Sequence, residues 1–418
     1  MGYGHQRAAF ALKDLAHDRI ITANDDEIIT ESEKRIWQQM QRTYETISRL
    51  SSVPLIGKSL FRIYDRLQDI KPLYPFRDLS VPNFGVKYLK RLLKKGICKS
   101  LLQYMQNHKP AHPMLTTFYV PALAANFHTY KQPAYCVVTD TDINRIWVCE
   151  NPKGNKVTYF VPTERSGKRL QSYGIEKKNI IKTGFPLPKE LIGTNDEIVS
   201  KDFANRLVNL DPRREFDDFM KKQKGVKFKG EKTHPLTLTF IIGGAGAQQE
   251  ILYQLTESLK EKIKNKELQF RILFGTHLEH AENFRHFLQK LGLANQAYIE
   301  VQVAANLNRY FTEFTELMHE TDILFTKPSE MSFYAALGIP IVALPALGAH
   351  EHYNLRWLQN KGCVVPLDNP QTTAEWLFDL LEQGVFAKAA IDGYLFTQHR
   401  GVYNIEQFFK EKYGTEIN

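Results

Sequence analysis

The sequence predicts an α/β protein built on two parallel sheets, and three observations carry that expectation. Short apolar, β-branched runs recur along the 418 residues and alternate with segments whose apolar positions repeat at helical spacing. The chain is 43% hydrophobic and long enough to bury two cores, in domains of about 200 residues each. The alternating pattern also stops in a charged, strand-poor stretch over residues 186–233, then restarts.

In the first half, residues 114–119 (MLTTFY), 134–139 (AYCVVT), 156–161 (KVTYFV) and 179–184 (NIIKTG) read as buried strands, with a helix over 167–173. Residues 186–233, with DPRR at 211–214 and lysines and glycines over 221–232, read as linker plus charged insertion. The expected division is therefore a first domain over 1–190, a connection over 191–234 and a second domain over 235–390. Residues 391–418 are expected to cross back onto the first domain. A sheet of this kind should open with a strand before Gly2 to His5, yet only Met1 precedes that loop, which suggests a late start and an exposed neighbouring strand.

The second half opens with 236–242 (LTLTFII), broken at once by Gly243, Gly244, Ala245, Gly246 and Ala247, with Gln248 next. A helix over 250–263 follows, its Ile251, Leu252, Leu255, Leu259 and Ile263 on one side. Strand, small-residue turn and helix together suit a diphosphate, because backbone amides can approach it and the helix start carries partial positive charge. Strands over 269–274, 298–303, 322–326 and 340–343 complete a Rossmann-like unit. Ligands of such sheets lie beyond the carboxyl ends of the strands, which directs attention to 243–249, 275–280, 327–332 and 345–354. The last of these holds His350, Glu351, His352 and Asn354, a mixture of donors and acceptors suited to a polyhydroxylated ligand.

The formal charge of +9 favours anionic partners, but no zinc-finger spacing, RNA-binding aromatic signature or long basic tail points to nucleic acid. Residues 84–106 combine Lys87, Lys90, Arg91, Lys94, Lys95 and Lys99 with Leu89, Leu92, Leu93, Ile97, Leu101 and Leu102 at near-helical spacing. Such a basic amphipathic helix, interrupted at Gly96, packs its apolar stripe on its own domain or touches an anionic membrane; packing is the preferred reading. No apolar run is long enough to span a bilayer and the start has no signal-peptide layout, so the expected location is cytoplasmic, with peripheral contact at the inner membrane face left open. Cys98, Cys136, Cys149 and Cys363 are scattered without metal-ligand spacing and read as reduced thiols.

Five motifs in order carry a family resemblance: MGYGHQRAA (1–9), VVTDTDINRIWV (137–148), GGAGAQQE (243–250), TKPSEMSFYAALGIPIVALP (326–345) and GAHEHYN (348–354). They resemble the inverting glycosyltransferases that include diacylglycerol glycosyltransferases and the peptidoglycan-precursor N-acetylglucosaminyltransferase. The resemblance implies a GT-B fold, two Rossmann-like domains whose parallel sheets face an interdomain cleft. It implies transfer of a hexosyl or N-acetylhexosaminyl group from a nucleotide diphosphate sugar, with uridine as the base, to an acceptor that is a lipid in part of the family. By the same resemblance Gly243 to Gln248 hold the donor diphosphate, Lys327, Ser329 and Glu330 follow the next strand, and His350, Glu351 and Asn354 read the sugar. The family's ribose-binding Glu falls near Phe333 here, with Glu330 as its substitute, and Asn144 stands where the lipid enzymes have His. His5 faces the transferred sugar as candidate base, since a neutral imidazole suits proton removal from an acceptor hydroxyl, and Asp140 is the second candidate. No metal or cofactor is implied.

Other readings remain open at this level. Asp140 and Asp142, one residue apart after a strand, can hold a divalent cation in the other main glycosyltransferase fold. The same double-domain architecture hosts nucleotide-sugar epimerases, and a catalytically silent nucleotide- or membrane-binding protein would share much of the pattern.

Overall fold

The computed structural model describes residues 2–51, 70–110, 112–216, 230–242, 248–346 and 348–414. Among them, two all-parallel sheets form. The first contains β1 (Met114–Thr116), β2 (Ala134–Val137), β3 (Val157–Val161) and β4 (Ile180–Lys182), side by side in chain order. The second contains β5 (Thr237–Ile241), β6 (Gln269–Leu273), β7 (Ile299–Gln302), β8 (Ile323–Thr326), β9 (Ile341–Ala343) and β10 (Val364–Pro366), in the order β10-β9-β8-β5-β6-β7. Strand order reverses between β5 and β8, the place where such sheets open a crevice at their carboxyl ends. Buried on both faces, β2 and β5 need continuous apolar runs rather than alternation. The protein is thus α/β with two parallel-sheet domains of GT-B type.

The helices that position the site are α1 (Tyr3–Ala11), α2 (Phe84–Lys94), α3 (Lys99–Asn107), α4 (Glu164–Ser172), α5 (Glu197–Leu210), α6 (Gln249–Lys264), α7 (Leu307–Met318), α8 (Ala349–Lys361) and α9 (Gly401–Tyr413). The basic segment divides into α2 and α3 at Gly96, whose φ of 96° no ordinary residue adopts cheaply. Its Leu89, Leu92, Leu93, Ile97, Leu101 and Leu102 are buried in the first domain's core. That apolar stripe is therefore occupied by the protein itself, and no membrane contact is drawn from it. Among the described residues, no helix is long and apolar enough to cross a membrane.

Two local expectations are corrected. Gly2 to His5, read as a loop, lead into α1 with Gly2 extended at its N-cap; α1 docks between the domains through buried Arg7, Ala8 and Ala11. No described strand precedes β1, and the first helix and following residues touch the segments on either side of it. There Thr117 Oγ1 donates to the His5 carbonyl at 2.7 Å, and the rings of His17 and His112 stand 4.2 Å apart. The stretch read as linker contains α5, which buries Val199, Phe203 and Leu210. Its apolar positions at helical spacing were masked by surrounding charges. Buried Arg206 donates to the carbonyls of Thr321, Leu337 and Met318 at 2.6, 2.8 and 3.2 Å, so it satisfies backbone acceptors that packing would otherwise orphan.

The domains are joined by apolar contact. Tyr135, Phe160 and Phe185 of the first share one core with Phe333, Leu337 and Ile341 of the second, and Phe185 stacks on Phe333 with centroids 4.7 Å apart. From the far end of the chain, α9 lays Phe408 and Phe409 against Tyr135 and Phe160, while Tyr413 and Tyr135 hydroxyls bond at 2.6 Å. Asn404 also donates to the Thr183 carbonyl at 2.7 Å. Phe409→Ala would open a cavity at this join, and we expect a loss of about 3–5 kcal/mol in chemical unfolding, with a correspondingly lower melting temperature.

Candidate functional site

Both sheets present their carboxyl ends to one region. From the first sheet come Thr117 after β1 and Thr139 to Asp142 after β2; from the second come the segments after β6, β8 and β9. The small-residue turn, Gly243, Gly244, Ala245, Gly246 and Ala247, lies outside the described residues. Gln248, its neighbour, sits in the left-handed region at φ 76° and donates through Nε2 to the Pro345 carbonyl at 2.7 Å, joining the start of α6 to the segment after β9.

His5 is held by backbone and side chain together. Its Nδ1 lies 2.7 Å from the Thr117 carbonyl and 3.2 Å from Thr139 Oγ1. A carbonyl only accepts, so Nδ1 carries the proton and Nε2 keeps the lone pair in the neutral ring. Phe118 and Trp147 wall the imidazole, with centroids 4.7 and 6.1 Å away. Burial pulls its pKa below the ordinary 6.5, against an opposing pull from Asp140, the Thr117 carbonyl and Glu330. His5 is thus a neutral imidazole with an available basic nitrogen near neutral pH.

Asp140 and Asn354 form the second junction. Asn354, fully buried on α8, donates through Nδ2 to Asp140 Oδ1 at 2.9 Å. Its Oδ1 accepts from Thr141 N at 2.9 Å and from Thr141 Oγ1 at 2.8 Å. One amide therefore reads both an acceptor and two donors of the opposite domain, which a carboxylate of the same size could not do. Asp142 does not join Asp140. Fully buried, it takes Arg165 Nε at 2.6 Å, Arg169 Nε at 2.7 Å, Arg169 NH2 at 3.0 Å and its neighbour Ile143 N at 2.9 Å. Two guanidinium groups saturate that carboxylate, so the paired-aspartate metal reading loses one of its ligands. Among the described residues, no group of three or more His, Cys, Asp or Glu side chains is arranged to hold a metal ion.

Glu330 is engaged by the first domain. It forms an ion pair with Arg7, whose NH2 also donates to Tyr310 OH at 3.0 Å and whose guanidinium lies 4.4 Å from the Phe314 ring centroid. Burial alone would depress Arg7, but Tyr310, Glu330 and Tyr334 outweigh it and hold the guanidinium firmly charged. Gly4 lies against the same carboxylate: a Cβ there would meet Glu330 Oε2, and the Glu330 side chain would have to shift to admit it. Near the other end of this contact Tyr3 OH bonds Thr276 Oγ1 at 2.8 Å, beyond β6.

Of the remaining sequence candidates, Lys327 Nζ reaches Glu351 Oε1 at 3.0 Å, and Glu351 is buried. Ser329 N bonds the Lys327 carbonyl at 2.7 Å, tightening the turn before the 3-10 helix Glu330–Leu337. His350 is partly buried in the first turn of α8. The structure therefore brings His5, Asp140, Glu330 and Asn354 to one interdomain seam, with Lys327 and Glu351 paired on the second domain's side. Phe333, at the family's Glu position, is part of the apolar join. Sequence reading missed Arg7, Thr117, Thr139 and Tyr310. Arg7 follows His5 by two positions in a quoted motif, but its role depends on α1 being a helix.

Residues 222–315 match a family model described as a domain of unknown function (DUF6938). No curated protein matches the sequence. Among solved structures, the chain is similar to a Staphylococcus aureus MnaA–UDP co-structure at 13% identity, covering 86% of this chain and 87% of that one with a TM-score of 0.48. It is also similar to Acinetobacter baumannii MurG, at 13% identity over 77% and 79% of the two chains with a TM-score of 0.46. A third is Anabaena HepE in complex with UDP, at 14% identity over 77% and 81% with a TM-score of 0.42.

The electrostatics of His5 yield a direct expectation. Asp140 opposes the fall in the imidazole pKa, so Asp140→Asn removes that support and moves the His5 titration to lower pH, read from its ring resonances by NMR. An unchanged midpoint would mean that the two groups do not sense each other.

Proposed function

We propose that the chain is a glycosyltransferase that moves a hexosyl or N-acetylhexosaminyl group from a uridine diphosphate sugar to an acceptor hydroxyl with inversion. The observation that carries this reading is His5, locked by the Thr117 carbonyl into the tautomer that leaves Nε2 basic, at a seam lined by both sheets' carboxyl ends. The ordered motifs supply the substrate class and the nucleotide.

In the proposed reaction, the acceptor oxygen forms a bond to the anomeric carbon as the bond from that carbon to the diphosphate breaks. The acceptor proton passes to His5 Nε2, and the nucleotide diphosphate departs with the bonding electron pair. Asp140 stabilises the imidazolium that results, consistent with its pull on the His5 pKa. The start of α6, reached through Gln248, supplies amides and partial positive charge toward the leaving diphosphate. Lys327 and Glu351, paired after β8 and in α8, offer a donor and an acceptor to sugar hydroxyls. Tyr3 and Arg7 tie α1 to the second domain, so donor-side residues and the base move together.

Mass spectrometry of products from a panel of nucleotide sugars mixed with cell-lipid extract tests the reading. A glycosylated product formed only with acceptor supports it; an isomerised sugar formed from donor alone identifies an epimerase instead. We expect His5→Ala to lower turnover by about 10²- to 10⁴-fold while donor affinity by calorimetry stays within about twofold. Because burial lowers the His5 pKa, the rate should stay level above the ordinary imidazole value of 6.5 and fall only on acidification, when Nε2 becomes protonated.

A further inference from the structure

A groove of about 1010 Å³ opens on the first domain, away from the seam. Its walls are residues 76–82, residues 150–153 before β3, and Lys168, Gln171, Ser172 and Gly174 at the end of α4. These segments lie at the amino ends of the strands, opposite Thr117 and Asp140. The wall is fixed by backbone: Leu79 N donates to the Ser172 carbonyl at 2.7 Å, and Arg145 donates to the Ser80 carbonyl at 2.7 and 3.0 Å.

Three features define what the groove can take. Arg77, Lys153 and Lys168 line it, all exposed and none in a close ion pair among the described residues, although Glu164 lies within electrostatic reach of Lys168. Phe76 is 63% exposed, an unusual state for so large an apolar ring, and Lys168 Nζ lies 5.8 Å from its centroid. Asn151, Gln171, Ser80 and Ser172 add amides and hydroxyls that both donate and accept. Two carboxylates are also present, Glu150 in an ion pair with Lys90 and Asp78 accepting from Ser80 N at 2.8 Å.

We propose that this groove is a binding site for an acidic oligosaccharide. The exposed cations select the acid groups, the Phe76 face packs on a sugar ring's C–H surface, and the amides and hydroxyls read ring hydroxyls. Its volume, at the upper end of ligand sites, accommodates several linked sugars rather than a lone anion. An anionic bilayer fits less well, since the site is concave and Asp78 and Glu150 would face like charge, whereas sugar hydroxyls can donate to both. α4, nine residues and about 13 Å long, links this groove to Arg165, whose guanidinium stands 4.8 Å from the Tyr353 ring on α8. A chain held here lies on the domain that carries His5, but the site does not depend on the transferase reading.

Calorimetry on the full chain tests the proposal with oligogalacturonate, a neutral dextran oligomer of matched length, and vesicles of equal phosphatidylglycerol and phosphatidylcholine. We expect oligogalacturonate to bind at least about tenfold more tightly than dextran, and more weakly as salt rises. The exposed triple variant Arg77→Ala, Lys153→Ala, Lys168→Ala should lose about tenfold or more, and Phe76→Ala severalfold, with melting temperature and UDP affinity unchanged. Absence of oligogalacturonate binding, binding that survives the triple variant, or vesicle binding that the same variant alone abolishes would overturn the assignment. UDP affinity and product formation report on the interdomain seam, so failure at the groove leaves that reading untouched, and the converse also holds.

Discussion

The arrangement depends on one buried ion pair. Arg7 of α1 and Glu330 of the second domain meet where water is nearly excluded, and neither charge tolerates that environment alone. Tyr310 completes the geometry: its hydroxyl takes a second guanidinium hydrogen while the Phe314 ring lies 4.4 Å from the guanidinium. A Cβ at Gly4 would push the Glu330 carboxylate from this position. The consequence is positional: α1 belongs by contact to both domains, and His5, between Gly4 and Arg7 in the chain, is set at their seam.

Around that pair the interface is built in two materials. Apolar packing, with Phe185 on Phe333 and α9 across Tyr135 and Phe160, supplies cohesion that does not depend on orientation. Directional polar contacts then fix the alignment. Asn354 is the clearest case, since its carbonyl and amide ends match Thr141 and Asp140 in one orientation only. The Asn354 amide is tolerated at such depth because both of its ends are bonded, and the hydrogen bonds from Arg165 and Arg169 make Asp142 a structural anchor rather than a ligand.

The groove on the first domain follows a contrary logic. Its cations are exposed and stand outside any close ion pair among the described residues, and Phe76 stands in solvent. Folding alone gives no reason for this combination, whereas recognition of an acidic, polyhydroxylated chain does. Interdomain seam and groove thus differ in kind: one is closed by directional contacts such as Asn354 with Asp140, the other is left open.

The sequence alone determined the sheets. Uncharged, mostly apolar runs such as 236–242 and 134–139 became β5 and β2, shortened by a residue or two, because a strand buried on both faces excludes charge and keeps only hydroxyls that find a partner, as Thr237 and Thr239 do. It also placed Asp140, Glu330, Glu351 and Asn354 in segments that follow strands, since the carboxyl-end rule needs only strand order and direction. β10 escaped notice because Val364–Pro366 is too short to show a pattern, and α5 because charges surround its apolar positions. What tertiary structure decided was partnership. That Glu330 meets Arg7 across 323 positions, that Asn354 clamps Asp140 across 214, and that Thr117 sets the His5 tautomer across 112 cannot be read from local spacing. The first two contacts arise only when two separately patterned domains pack; the third, like the Phe118 and Trp147 walls around His5, forms when α1 folds onto distant segments of its own domain.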